Sequence, residues 1–278
     1  PQQWSVKRAV SSLRSTSSGR SGVPLQVWIT LVMHPAALAT ITTLMQAVWD
    51  QEVVPTTWSV AYMLALYKKY DAQLPKNYRI IFIEEHVSKL FQRILVHHLD
   101  AHFESFAPEY SNGFRRSRGC TDALFILKQV CRKRKEHGLH TWLLFLDIKK
   151  AFDVVPRELL WWALQVCGVP PKLVRVLRAL YTNRTGELTI DGASATITVD
   201  GGTCQGAILA PRLFSYFMYV ILELWLQDNK DCMTQIDTVD IDTDTKRSIF
   251  LSIFNVADDT AAIFRSRRAM ETHAPRLI

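Results

Sequence analysis

The succession of segments in this chain predicts an α+β fold, a sheet with helices on one face. Three observations carry that expectation. Strand-like and helix-like segments mix without the regular alternation of a doubly wound sheet. Leu90, Phe91, Ile94, Leu95, Leu99 and Phe103 recur at helical spacing. Two short apolar runs each end in acid, one at Asp147 and the other at the adjacent pair Asp258 and Asp259.

Read in order, residues 11–24 are rich in Ser, Gly and Arg and predict a loop. Residues 35–50 carry helical patterning, and Pro55 to Trp58 break it. Val60 to Tyr67 reads as a strand, and the polar stretch after Lys68 and Lys69 as a loop ending in Asn77-Tyr78-Arg79. The helix from Val87 follows. Ser111 to Cys120 is a basic loop, and Thr121 is placed to cap a helix to about Lys135, stopped by Gly138. The basic cluster Arg132 to Lys135 suits the last turn of that helix, where cations complement its dipole. The strand to Asp147 comes next. Pro156 fits the first turn of a helix through Cys167, closed by Gly168, and Pro171 starts another with Leu173, Val174, Leu177 and Leu180 on one face. Leu188 to Val199 reads as a hairpin around Asp191-Gly192. A glycine-bearing loop, Gly201 to Gly206, leads into a long helix from Ala207 to about Gln227. Residues 228–247 hold several aspartates without periodicity and predict a solvated loop before the Ala-Asp-Asp hairpin.

The 278 residues, 48% hydrophobic, suffice for one large domain or two modest ones. A net charge of +7 and a pI near 9.2 favour an anionic partner, nucleic acid first, with an ordinary basic protein as the alternative. The five cysteines form no C-x-x-C pair, which argues against a zinc site or a disulfide scaffold and suits a reducing compartment. No apolar run reaches the ~18 residues of a spanning helix, and no secretory pattern opens the chain. The expectation is a soluble intracellular protein of nucleus or cytoplasm, with no membrane partner and its oligomeric state open. The start at Pro1 suggests a fragment.

Ionised carboxylates rarely enter apolar surroundings unless paired or bound to a cation. Asp147, Asp258 and Asp259 at strand ends therefore suit a hard cation such as Mg²⁺. Two such ions, about 3.5–4 Å apart, run phosphoryl transfer in many nucleic-acid enzymes. Phe152, soon after Asp147, suits either packing under a nucleotide's sugar or plain core packing. Gln205, in its glycine-bearing loop, is able to hydrogen-bond a base or phosphate, though most such turns are only turns. Lys68, Lys69, Arg79, Arg115, Arg116 and Arg118 lie in loops before the carboxylates and suit either a triphosphate and template backbone or a solvated surface.

Several blocks resemble the reverse transcriptase domain of non-LTR (LINE-like) retrotransposons. They are Phe145-Leu146-Asp147-Ile148-Lys149-Lys150-Ala151-Phe152-Asp153, the stretch Gly202 to Pro211, and Ala257-Asp258-Asp259. Asn77-Tyr78-Arg79, Gly113-Phe114-Arg115 with Arg118-Gly119, and Gly22-Val23-Pro24 extend the match in the family's order, over roughly residues 5–265. The resemblance implies a right-hand polymerase with an antiparallel palm sheet. It divides the chain into an N-terminal extension with helices (1–54), fingers (55–140) and palm (141–278), with helices and a hairpin over 157–200 between palm and fingers. It implies RNA-directed DNA synthesis from an RNA template, a DNA primer and deoxynucleoside triphosphates. Asp147 and Asp258 would hold two Mg²⁺ ions with Asp259 beside them. Phe152 would be the steric gate against a 2′-hydroxyl. Gln205 would position the incoming nucleotide, Lys68 and Arg79 would grip its triphosphate, and Arg115 and Arg118 would lie near template.

The chain departs from the family pattern at Val256, usually Tyr or Phe; Cys204, usually Arg; Ile80, usually Pro; Ser111, usually Gln; and Ser21, often Asp. None of these removes a carboxylate. The chain ends at Ile278, soon after Asp259, so the expectation is a domain truncated after the catalytic hairpin, without a thumb and with a weak grip on duplex. The alternatives are a catalytically decayed relic that at most binds nucleic acid, an RNA-templated RNA polymerase, against which Phe152 argues, and a metal-dependent phosphohydrolase, which needs no basic loops.

Overall fold

A computed structural model describes residues 1–14, 17–190, 192–229, 235–239, 246–250 and 253–277. The helices are α1 (Gln3–Ser12), α2 (Leu25–Met33), α3 (Pro35–Gln51), α4 (His86–Glu104), α5 (Cys120–Glu136), α6 (Ala151–Val154), α7 (Arg157–Val166), α8 (Pro171–Tyr181), α9 (Ala210–Asp228) and α10 (Arg267–His273). The strands are β1 (Val60–Tyr67), β2 (Tyr78–Ile83), β3 (Trp142–Asp147), β4 (Thr185–Ile190), β5 (Ala193–Thr198), β6 (Gln235–Val239), β7 (Lys246–Phe250), β8 (Ile253–Val256) and β9 (Asp259–Phe264). Residues 1–102 with 152–214 form one compact unit, and residues 103–151 with 215–278 form another.

In the first unit, Pro35 opens α3, where its missing N–H costs no hydrogen bond, and Leu38, Ile41, Met45 and Val48 bury one stripe. Helix α1 turns Val6, Ala9 and Val10 inward. The pattern of residues located only the helix over 35–50 within the expected helical extension; α1 and α2 precede it, and α1 takes the first residues of the predicted 11–24 loop. The sheet runs β2-β1-β4-β5. Its β1–β2 and β4–β5 pairs are antiparallel, but β1 and β4 are parallel, so this sheet is mixed. Strand β2 begins within the polar stretch read as a loop. Its run Ile80 to Ile83 is apolar without alternation, the pattern of a strand covered on both faces. Helix α8 buries Leu173, Val174, Val176, Leu177 and Leu180, as its spacing predicts. The β4–β5 hairpin forms where expected, although Asp191 of its turn lies outside the described residues.

In the second unit, β3, β9 and β8 form an antiparallel sheet in that order. Leu127 and Val130 of α5 pack against Phe254, Ala261 and Ile263 on one face. On the other face the ring of Trp225, from α9, meets Phe264 edge-on at 6.1 Å. Helices therefore cover both faces, not one. The reason is visible in β9, where Thr260 through Phe264 are all buried, leaving no solvated face. Two local expectations also change. Gly119, not Thr121, is the N-cap of α5, and its N–H donates to the Asp122 carboxylate at 2.8 Å. Within the predicted 228–247 loop, β6 and β7 pair antiparallel; residues 230–234 and 240–245 lie outside the described residues. Among the described residues, no single helix is long and apolar enough to cross a membrane.

Candidate active site

Strand β3 ends on Asp147 and β9 begins on Asp259, and the two are register partners. Directly opposed residues of an antiparallel pair hold their Cβ atoms about 4.5–5.5 Å apart on one face. Val256 opposes Asp259 and closes the β8–β9 hairpin, leaving Ala257 and Asp258 as its turn. Asp147 and the adjacent pair Asp258–Asp259, far apart in sequence, are thus gathered by two ladders of one sheet. Asp147 and Asp259 are exposed and Asp258 is half-buried. Burial, and then the neighbouring Asp258 and Asp147 carboxylates, push the Asp259 carboxyl above its ordinary range. That mutual repulsion is what a divalent cation relieves, and all-oxygen donors fit a hard ion. Among the described residues no cluster of three or more His, Cys, Asp or Glu closes into a cation cage. An open arrangement fits Mg²⁺, which keeps several waters and takes one or two carboxylates plus substrate phosphates.

On the face that carries these carboxylates, a cavity of about 260 Å³ is lined by Leu124, Leu127, Phe145, Phe254 and Val256 along with Asp147 and Asp259. Beside β8, the segment Tyr110 to Gly113 runs as a short parallel bridge. The Asn255 N–H donates to the Tyr110 carbonyl at 2.9 Å, and the Asn112 N–H donates to the Asn255 carbonyl at 2.8 Å. The free edge of β8 is thereby covered. A Cβ at Gly113 would stand 2.3 Å from the Ala257 nitrogen, so only glycine lets these backbones approach.

The basic loop in this unit is held by acids. Arg115 donates to Glu104 at 2.9 Å and to the Pro108 and Ser111 carbonyls, and its side chain is only 7% exposed. Arg118 pairs with Glu109 at 2.5 Å and donates to the Glu109 carbonyl. Arg116 is exposed.

The other singled-out residues belong to the first unit. Lys68 follows β1 and donates its N–H to Asn77 at 2.9 Å, and Arg79 opposes Leu66, so both lie at one end of the β1–β2 hairpin with exposed side chains. The Gln205 carbonyl accepts from the Phe82 N–H of β2 at 2.8 Å, which docks the glycine-bearing loop on the same strand. The Phe152 carbonyl accepts from the Thr203 N–H at 2.8 Å, and its ring lies 4.9 Å from that of Phe214. Phe152 and Gln205 are therefore tied to one loop.

Sequence reasoning missed what holds that loop. Arg157 donates to the carbonyls of Gly201, Gly202 and Tyr181 at 3.0–3.2 Å. Behind it Arg184 and Glu84 form a fully buried ion pair, each side chain 1% exposed. Gln92 donates to Glu84 at 2.9 Å, and the Tyr181 hydroxyl donates to the Thr203 carbonyl at 3.0 Å. Burial raises the Cys204 thiol. Asn255 was missed too. Its signal was a lone amide in an apolar strand just before the acidic turn.

The reverse transcriptase (RNA-dependent DNA polymerase) family matches residues 67–277. The RNA-directed DNA polymerase from mobile element jockey of Drosophila melanogaster is 25% identical over 83% of this chain and 24% of its own length. The Pol polyprotein from the type-1 retrotransposable element R2 of Popillia japonica is 28% identical over 58% of this chain and 23% of its own. The chain thus spans about a quarter of the length of these relatives. The structure of apo telomerase from Candida tropicalis, truncated from its C-terminal domain, superposes with a TM-score of 0.56 over 95% of this chain and 54% of that one, at 10% identity. The fold is shared with telomerase, and the match across more than half of the residues decides the family. The chain belongs to the reverse transcriptase (RNA-dependent DNA polymerase) family, in its non-LTR retrotransposon branch.

Proposed function

We propose that this chain carries RNA-directed DNA polymerase activity, extending a DNA primer on an RNA template with deoxynucleoside triphosphates. The observation that carries the reading is the register of β3 against β9, which sets Asp147 opposite Asp259 with Asp258 in the adjoining turn. In this reading residues 55–140 serve as fingers and 141–278 as palm, behind an N-terminal extension over 1–54. Asp147 and Asp258 hold two Mg²⁺ ions, with Asp259 beside them. When bound, such ions lower the pKa of a 3′-hydroxyl and neutralise charge on the transferring and leaving phosphates. The chain's own groups do the rest. Exposed Lys68 and Arg79, at one end of the β1–β2 hairpin, neutralise the triphosphate and orient it. Gln205 offers its carboxamide to the incoming nucleotide from a loop fixed on β2. Phe152, its ring packed beside that of Phe214, serves as the steric gate against a ribose 2′-hydroxyl. Arg118 lies along the template path, and Arg115, turned inward to Glu104, shapes the loop that carries it. Such a protein acts inside the cell, where its four described free cysteines stay reduced.

Primer extension on an RNA template with Mg²⁺ tests the reading. Templated incorporation is expected, lost to background in Asp147→Ala and in Asp258→Ala. Phe152→Ala should admit ribonucleotides. Incorporation that survives both aspartate changes would reject Asp147 and Asp258 as the metal-holding pair, and none in the unaltered chain would reject the activity in favour of a nucleic-acid-binding relic.

A further inference from the structure

We propose that Asn255 is the positioning residue of this site: from the opposite face of the sheet, its carboxamide locks the turn that carries the acids. The inference rests on the reading of Asp147, Asp258 and Asp259 as the cation-holding group.

Side chains alternate between the faces of a strand. Asp147 and Asp259 share the face of Phe254, Ala261 and Ile263, whereas Asn255 opposes Thr260 in the ladder and shares the other. Asn255 therefore touches the acids' backbone and not their carboxylates. It is 4% exposed, and a buried carboxamide is tolerable only when its donors are satisfied. Its Nδ2 donates to the Ala257 carbonyl at 2.8 Å and to the Thr260 hydroxyl at 3.0 Å, with the Asp259 carbonyl at 3.4 Å. One amide thus reaches the residues on both sides of Asp258.

The turn needs such a brace. Ala257 sits at φ 58°, a left-handed conformation that a residue with a Cβ enters at a cost and that glycine would adopt freely. The surroundings hold it there. Asn255 closes the turn from within, and Gly113 fits against the Ala257 nitrogen from outside. Both backbone groups of Asn255 are also fixed, by Tyr110 and Asn112. The brace is uncharged. A lysine or arginine there would set a fixed cation beside carboxylates that must receive a mobile one; an amide orients without neutralising.

Hydrogen exchange of the metal-free chain, followed by Mn²⁺ binding read by electron paramagnetic resonance, tests the proposal in the unaltered protein, in Asn255→Leu and in Asp147→Asn. In Asn255→Leu, exchange at Ala257 to Thr260 should quicken by about tenfold or more while the amides of β3 stay protected. Mn²⁺ affinity should fall by about 10–100-fold, the range for groups that orient a ligand without touching the metal. Unchanged exchange and affinity in a folded Asn255→Leu overturn the proposal. Mn²⁺ binding that is absent, or indifferent to Asp147→Asn, instead rejects the metal reading, and the exchange result still decides Asn255. Should Asn255→Leu fail to fold, the unaltered protein decides by itself. The Asn255 carboxamide hydrogens should exchange as slowly as the β9 amides, and exchange at the rate of an exposed amide overturns the proposal.

Discussion

The Gly201–Gly206 loop and the Ala257–Asp258 turn solve one problem with opposite chemistry. Each reverses the chain through a residue with a Cβ at φ 58°, Cys204 in one and Ala257 in the other. The loop that carries Gln205 is held by charge: Arg157 grips three carbonyls, and the buried Arg184–Glu84 pair lies behind it. The acidic turn is held by neutral groups, the Asn255 carboxamide and the backbone of Tyr110 to Gly113, with its charges left toward solvent. On the proposed function, the difference matches what each would receive. A loop that takes an anionic nucleotide gains from cations nearby, whereas a carboxylate cluster that takes metal would lose affinity to a fixed positive neighbour. Stability should therefore fail first in the charged brace, and function first in the neutral one.

The largest effect on stability is expected at Glu84. Glu84→Gln strands Arg184 without its counter-charge, and breaking a buried pair from one side costs about 3–5 kcal/mol. Urea unfolding should show it, and Glu84→Met with Arg184→Met should recover much of the loss. A single-mutant cost below 1 kcal/mol, on the scale of a surface pair, would show that the charged brace is not structural. Arg157→Lys comes next, because lysine cannot reach three carbonyls from one planar fork. About 1.5–3 kcal/mol is at stake, and the KM for deoxynucleotide should rise more than kcat falls. An unchanged KM would separate Arg157 from the Gln205 loop. Gly113→Ala, forced against Ala257, should cost about 1–3 kcal/mol and depress incorporation beyond its effect on folding. Gly138→Ala is its control, since it meets only open space at φ 67° and should cost about 1 kcal/mol with activity intact.

The smallest effect has an informative sign. Because Asp259's carboxyl is raised in the folded chain, the folded state binds its proton more tightly than the unfolded one. The cost of ionising it, set first by burial and then by repulsion from Asp258 and Asp147, is therefore absent at low pH, grows as pH passes upward from the ordinary aspartate range, and is complete above the raised value. Asp259→Asn should then raise the melting temperature at neutral pH while lowering incorporation, and lose that advantage in acid. A lower melting temperature at neutral pH would mean that the acids do not repel one another in the folded chain.

Much of this arrangement was legible in the residues, and the exceptions share a cause. The amphipathic stripes of α4 and α8, the helical patterning of α3, the acid that ends β3 and the acidic turn before β9 were readable because each is a local pattern. What escaped depends on distant partners. Strand β2 looks like the end of a polar loop until β1 pairs with it, and β6 and β7 are too polar to announce themselves apart. The second helical cover on β9 is implied by its unbroken burial, not by any periodicity. Arg157, Arg184 and Asn255 carry no motif. Arg157 and Arg184 matter through carbonyls or a carboxylate far along the chain, and Asn255 through a local turn that only the folded β8–β9 hairpin closes around it.

On the proposed function, Asp147, Asp258 and Asp259 hold a pair of divalent cations. Electron paramagnetic resonance of the chain loaded with Mn²⁺, primer–template and a non-hydrolysable deoxynucleotide tests it most directly. A spin-coupled Mn²⁺ pair is expected, as for ions about 3.5–4 Å apart, and it should disappear in Asp147→Asn. Uncoupled Mn²⁺ alone, or a coupled pair that survives Asp147→Asn, would contradict it.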